Sequence, residues 1–290
     1  DYSNDTSGVS ERGPLTLAKY GVEGAGNKDF AYFAGGATGV TPSNPTTVDR
    51  IDYSNDTATA TPRGPLTGKM HQDGSTGNAS FGYFSPGPSS GVPKQTANRV
   101  DYSNDTATAV TRTYVLVDAD YRMATSPREN GLPTHRFTIS TPFAFGENPT
   151  PFNPYGYFGA GQGNPVVSIV DRIDYSNDTA TASPRGHVSS ARRGAGAVGN
   201  NSYGYIVGGN TGSDVSTIDR IDYSNDSILT STRGPLSRSD HGYDGAGNRD
   251  YGWIAGCDHP VTSIVDRIDY ANDTSTSSVR GPLSSIAAWL

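Results

Sequence analysis

One phrase recurs along the chain and limits what it can fold into. "RIDYSNDTATATPRG" from Arg50, "RVDYSNDTATAVTR" from Arg99, "RIDYSNDTATASPRG" from Arg172, "RIDYSNDSILTSTRG" from Arg220 and "RIDYANDTSTSSVRG" from Arg267 are near copies. The chain opens on the same phrase taken up midway, "DYSNDTSGVSERG". The Asp of the Asp-Tyr pair stands at 1, 52, 101, 174, 222 and 269, at intervals of 51, 49, 73, 48 and 47 residues. A near-constant period of this size points to a propeller or a solenoid, because each unit buries its apolar faces only against its neighbours. The 36 Gly and 19 Pro, set among 17 Tyr and many Thr and Val, favour short strands and tight turns over helices.

The unit at 185–232 shows the internal plan. Strand patterns fall at 193–199 (small and apolar), 203–209 (aromatic and β-branched, ending in a Gly pair), 216–224 (alternating) and 227–231 (short, Ser/Thr-rich). Four strands in so few residues make an antiparallel meander rather than a βαβ unit. Asn200–Asn201–Ser202 and Ser224–Asn225–Asp226 supply the turns, since Asn and Asp tolerate left-handed φ and bond their own backbone. Along the phrase, Asp171, Ile173 and Tyr175 share one face, and Val170, Arg172 and Asp174 the other. Both faces meet neighbouring units, so Arg172 and Asp174 are expected to pair with each other or with the next unit. The same pair recurs as Arg50/Asp52, Arg99/Asp101, Arg220/Asp222 and Arg267/Asp269. Repetition in every unit makes it a structural ring between blades rather than an active site.

These residues carry a resemblance. A strand ending in a Gly doublet ("AYFAGG", "YGYIVGG", with "YGYFGAG", "YGWIAGC" and "FGYFSPG" as variants), an Asp-Tyr strand, a short strand and an Arg-Gly before the next small-residue strand resemble the Kelch repeat of β-propellers. The likeness runs through most of the chain, although Thr or Ala stands where Kelch repeats carry a Trp on the last strand. The Asn-Asp-rich wording is also, more loosely, similar to Kelch-like proteins of marine phage virions. The resemblance implies an all-β, single-domain propeller over 1–290 with an enlarged blade or insert at 112–152. About six four-stranded blades are expected, or seven if the insert is a blade. The sixth would join "SSIAAWL" (284–290), as first strand, to the N-terminal "DYS" and "TSGVS". A start in mid-repeat without Met suggests a processed or incomplete chain.

Function is expected where repeats differ. Aligned on Gly-Pro-Leu, Tyr20, His71, Arg193 and His241 share one position at the start of the first strand, with His135 of the insert close to it. First strands of propellers line the axis, so these five are candidate binding residues at a channel mouth, able to hold a metal or an anion; whether a metal binds is left open. The insert also carries Arg122, Arg128, Glu129 and Arg136, a candidate partner-binding protrusion. Cys257 replaces the second Gly of its doublet. Some Kelch-type propellers are copper oxidases that use a Cys–Tyr crosslink, but the arrangement of residues they need is not recognisable here. Asn4, Asn55, Asn104, Asn177, Asn225 and Asn272 stand in Asn-Asp-Ser/Thr, which suits a turn and would serve as N-glycosylation sites in a secretory route.

The remaining chemistry is mostly exclusion. A net charge of −7 without a Lys/Arg run disfavours nucleic acid as partner. No apolar run approaches the ~20 residues that span a bilayer. The single cysteine excludes an internal disulfide framework. No Ser-His-Asp spacing, phosphate loop or HExxH motif occurs, and no cofactor is expected. The sequence therefore reads as a non-enzymatic binding and structural module of a virion surface or extracellular assembly, part of a larger assembly and contacting protein or glycan. The alternatives are a repeating, glycosylated subunit of a fibre or coat, and a secreted carbohydrate oxidase of Kelch-propeller type.

Overall fold

The computed structural model describes residues 4–38, 45–70, 74–85, 96–114, 123–125, 154–163, 165–227, 229–257 and 260–285. They form five four-stranded antiparallel sheets, each a blade of a β-propeller. Blade 1 is β1 (Tyr20–Gly26), β2 (Phe30–Ala37), β3 (Val48–Asp52) and β4 (Thr61–Arg63). Blade 2 is β5 (Ser75–Gly77), β6 (Phe81–Phe84), β7 (Thr96–Asp101) and β8 (Val110–Tyr114). Blade 3 is β9 (Met123–Thr125), β10 (Tyr155–Gly161), β11 (Val167–Asp174) and β12 (Ser183–His187). Blade 4 is β13 (Gly196–Gly199), β14 (Tyr203–Val207), β15 (Ile218–Asp222) and β16 (Ser231–Thr232), and blade 5 is β17 (Asp244–Gly247), β18 (Tyr251–Ala255), β19 (Val265–Asp269) and β20 (Ser278–Arg280). First strands of successive blades lie side by side, β1 by β5, β5 by β9, β9 by β13 and β13 by β17.

The all-β propeller expected from the repeat is the fold, but among the described residues the blade count is five rather than six. Residues 4–16 form no strand; an outer strand there would need an inner neighbour, and the described chain offers none. Their backbone instead binds both flanking blades: Val9 N donates to Pro282 O, Gly281 N to Asp5 O, and Gly13 N to Asp56 O. The N-terminal phrase thus bridges blade 5 and blade 1. Of the stretch 284–290, expected as the first strand of a sixth blade, residues 284–285 form no strand and 286–290 lie outside the described residues. From the insert, β9 serves as the first strand of blade 3, pairing Tyr157 with Thr125; most of the insert lies outside the described residues.

The fourth strand also differs from its expected place. In blade 4 it is Ser231–Thr232, at the very end of the 227–231 segment, because the phrase turns immediately after Asp-Tyr. Asp52, Asp101, Asp174 and Asp222 each accept from both the backbone N and the Oγ of the Ser two residues on, and Asp269 accepts from Ala271 N. This is helix-cap chemistry applied to a single 3-10 or β-turn. The turn throws the Asn-Asp segment toward the preceding blade, where Gly64 N bonds Asp105 O and Gly234 N bonds Asp273 O. A side chain at Gly64 would place its Cβ 1.8 Å from Ala107 O, which explains the Gly after Arg in the phrase.

The core lies between blades. Tyr32, Ala34 and Val48 of blade 1 pack on Phe84, Val100 and Ala109 of blade 2, and equivalent clusters fill the 2/3, 3/4 and 4/5 boundaries. The strand alternation read from the sequence produces this: Ile173 and Tyr175 face blade 2, and Val170 faces blade 4.

Candidate functional site

The arginines of the expected ring do join blades, through a different carboxylate. Arg50, Arg99, Arg172, Arg220 and Arg267 donate from Nη1 at 2.8–2.9 Å to Asp105, Asp178, Asp226, Asp273 and Asp5, the Asp of the Asn-Asp turn one blade on. Asp52, Asp101, Asp174, Asp222 and Asp269 are not acceptors in this ring; they are the turn caps described above. Tyr32, Tyr83, Tyr157 and Tyr205 donate their hydroxyls to the same carboxylates, and Trp253 Nε1 does so to Asp5 at 3.0 Å. Burial, with the adjacent carboxylate, pushes the Tyr32, Tyr83 and Tyr205 phenols well up, so each stays a donor. Each guanidinium lies 3.9–4.3 Å over an aromatic ring of its own blade. The Tyr of Asp-Tyr stacks on the preceding blade's Tyr, as in Tyr83–Tyr175 at 5.2 Å. The repeated phrase is therefore a blade-to-blade latch. Its Asn side chains, at 4, 55, 104, 177, 225 and 272, are exposed above it.

The positions that vary lie at the other end of the second strand. Tyr20 opens β1 opposite Ala37 and is half exposed. Arg193 is exposed, forms a backbone bridge with Asn210, and donates from Nη1 to Gln162 Oε1 of blade 3 at 2.7 Å. His241, at the same place in blade 5, approaches Asp214 of the blade 4 loop, Nδ1 to Oδ1, at 2.8 Å. Arg193 and His241 are on adjacent blades, linked by Gly242 N to Gly194 O at 2.7 Å. His71 and His135 lie outside the described residues.

One residue earlier, the repeats show a charge rule that the sequence reading missed. The aligned residues are Lys19, Met70, Arg192 and Asp240. Lys19 pairs with Asp49 of β3 at 3.0 Å and Arg192 with Asp219 of β15 at 2.7 Å, all four side chains fully buried. In blade 2 both charges are gone: Met70 meets Asn98, whose amide points at its sulfur. A hydroxyl completes each acceptor, from Thr16, Thr67, Ser189 or Ser237. Blade 5 breaks the rule, since Asp240 stands in the cation's place while Asp266 keeps its carboxylate. Asp240 is 0% exposed and Asp266 2%.

Around these acids the side chains are specific to blade 5. Arg238 Nη2 donates to Asp240 Oδ2, to Cys257 Sγ at 2.9 Å and to Pro260 O at 3.3 Å. Asp240 Oδ1 accepts from His241 N at 2.8 Å and lies 3.9 Å from His241 Nδ1. Asn210 Nδ2 donates to Asp214 Oδ1 at 2.6 Å. Burial, then the Asp240 charge, pushes the Tyr243 phenol up, and its hydroxyl is buried without a hydrogen-bond partner. Burial likewise pushes the Cys257 thiol up to about 11, which leaves it protonated and unreactive at neutral pH. Where Gly209, at φ 103°, donates to Asp240 O, Cys257 fills the equivalent place in blade 5, which has no following first strand among the described residues.

Sheets, latch and axial first strands together define a β-propeller. The chain is similar to the solved structure of YjhT, with a TM-score of 0.69 and 11% identity, covering 95% of this chain and 87% of that one. No family model matches the chain, and no curated protein matches it. No helix among the described residues is long and apolar enough to cross a membrane.

Proposed function

We propose that this chain is a non-enzymatic binding and structural module of Kelch-like type, contacting protein or glycan from a virion surface or an extracellular assembly. The observation that carries the reading is a division of labour. The repeated polar residues are engaged in the latch, whereas the face at the start of the first strands differs from blade to blade: Tyr20, the Arg193–Gln162 pair, and the Asp214–Asp240–His241 group. A scaffold keeps repeats alike where blades pack and varies them where it meets something else. Aromatic, amide and guanidinium groups at a polar surface suit sugar hydroxyls and protein carbonyls. The low affinity of one such face is raised by arraying it on a particle.

The test is a glycan and protein-ligand array probed with the chain displayed multivalently. Binding should fall with Tyr20→Ala and Arg193→Ala and persist with Asn55→Gln and Asn177→Gln. The reverse pattern supports the alternative of a fibre or coat subunit whose contacts, or glycans, sit on the outer rim. That alternative has its own observation in the exposed Asn above every latch.

A further inference from the structure

We propose that Asp214, Asp240 and His241 hold a divalent transition-metal ion at the boundary of blades 4 and 5. One ligand atom from each lies within 4.8 Å of the others, and the pairs from His241 Nδ1 measure 2.8 Å to Asp214 and 3.9 Å to Asp240. An ion with bonds of about 2.0–2.2 Å to nitrogen and oxygen draws its ligands to separations of about 3.3 Å, inside this range. The donors come from two fixed places. Val215 bridges Asp240 through the backbone, and Asn210 bridges both Arg193 and Asp214, so the loop carrying Asp214 is tied to the start of blade 5.

Geometry alone does not distinguish an ion site from a His–Asp hydrogen bond. The charge balance of the repeats does. Blades 1 and 4 bury one acid with one base, blade 2 buries neither, and blade 3 buries Asp171 with its aligned partner position outside the described residues. Blade 5 buries two acids, Asp240 and Asp266, and offers them one guanidinium, Arg238. Arg238 meets Asp240, while Asp266 has only the Ser237 hydroxyl and leaves its Oδ1 without a hydrogen bond. A third carboxylate, Asp214, adds to the excess. Buried carboxylates without compensating charge are strongly disfavoured, and a dication at the three ligands supplies what the replaced Lys or Arg supplied elsewhere. One imidazole and two carboxylates suit Zn2+ or Mn2+ rather than Ca2+, which takes oxygen ligands. Three protein donors leave a tetrahedral ion one further position, toward the partly exposed Asp214 and His241, where water or an oxygen ligand completes it.

This inference goes beyond the binding-module reading and does not depend on it. Its test is isothermal titration of the chelator-treated full chain with Zn2+, Mn2+ and Ca2+, with Co2+ as a spectroscopic probe. The expected result is one saturable Zn2+ per chain, weaker Ca2+, and d–d bands of a four-coordinate Co2+ complex. His241→Ala and Asp214→Asn should each weaken Zn2+ binding at least tenfold, and His187→Ala should leave it unchanged. Asp214→Asn keeps an oxygen for Asn210 and lies on a part-exposed loop, so it tests the site even if His241→Ala misfolds. Absence of saturable Zn2+ uptake would overturn the proposal. Uptake that both variants leave unchanged would overturn it equally, by placing the ion elsewhere.

Discussion

Arg172 Nη1 and Asp226 Oδ2 meet at 2.9 Å across the boundary of blades 3 and 4, while Asp174, two residues from Arg172, caps its own turn. The two aspartates of one phrase therefore do unequal work. Asp226 also accepts the Tyr157 hydroxyl, and removing it leaves that hydroxyl and the Arg172 guanidinium without their shared acceptor. Asp226→Ala should cost roughly 3–5 kcal/mol, as for breaking a buried pair. Asp174→Ala should cost about 1 kcal/mol, as for loss of a cap. Urea unfolding midpoints of the two variants measure the ratio, and equal losses would refute the assignment.

The bridge formed by residues 4–16 should be acid-labile. Burial opposes ionisation of Asp5, but the bonds from Trp253 and Arg267, with the charges of Arg267 and Arg280, outweigh it and hold the carboxyl below its ordinary 3.8. A depressed acid stabilises the fold above its unfolded pKa and loses that contribution as pH falls through the folded one. The contact should therefore persist from neutral pH down to about 4 and be lost below. Trp253 fluorescence, read in a Trp289→Phe background, should show a step below pH 4. Asp5→Asn should shift the emission already at pH 7 and remove the step.

The repeat made the fold legible because its period and its strand alternation are both sequence properties: Ile173 and Tyr175 against Val170 predicted two packed faces, and both are packed. That residues 4–16 bridge two blades instead of forming strands was not legible, since the N-terminal phrase reads like any other copy. The partner of Arg172 was hidden for a related reason. Asp174 and Asp178 lie in the same phrase, and only the turn after Asp-Tyr decides which one is turned toward the preceding blade. Of the candidate site, the position shared by Tyr20, Arg193 and His241 was visible by alignment. Asp240 was visible by the same alignment one residue earlier, as an acid in register with Lys19 and Arg192. Asp214 was not, because its approach to His241 depends on the course of a loop.

Glycine should be least tolerant of substitution where a neighbouring blade's backbone touches it. Gly64→Ala places a Cβ against the Ala107 carbonyl, and Gly281→Ala places one 2.0 Å from Ser7 O, both backbone atoms that cannot rotate away. Each should cost about 1–3 kcal/mol or more by overpacking. A Cβ at Gly212 would have nothing within 4 Å, and its φ of +114° leaves only backbone strain to oppose Ala. Thermal midpoints should fall less for Gly212→Ala than for the other two.

Asp244 should titrate near neutral pH and lower stability once it ionises. It opens β17 as an exposed residue, and desolvation pushes its carboxyl up to about 6 against the opposing bond from Gly245 N. Its pKa in the unfolded chain is about 3.9. A raised carboxylate gives its stabilisation below the unfolded value and loses it as pH rises through the folded one, so the folded chain binds the extra proton between about 4 and 6. Asp244→Asn mimics the protonated form at every pH. Its thermal midpoint should match the parent near pH 4 and exceed it by a growing margin up to about pH 6.5, with a constant margin above. The comparison is a series of melting curves from pH 4 to 8 in EDTA, which removes any contribution from ions bound nearby. A parent and variant that stay parallel across the series would show that Asp244 ionises in the folded chain as it does in water.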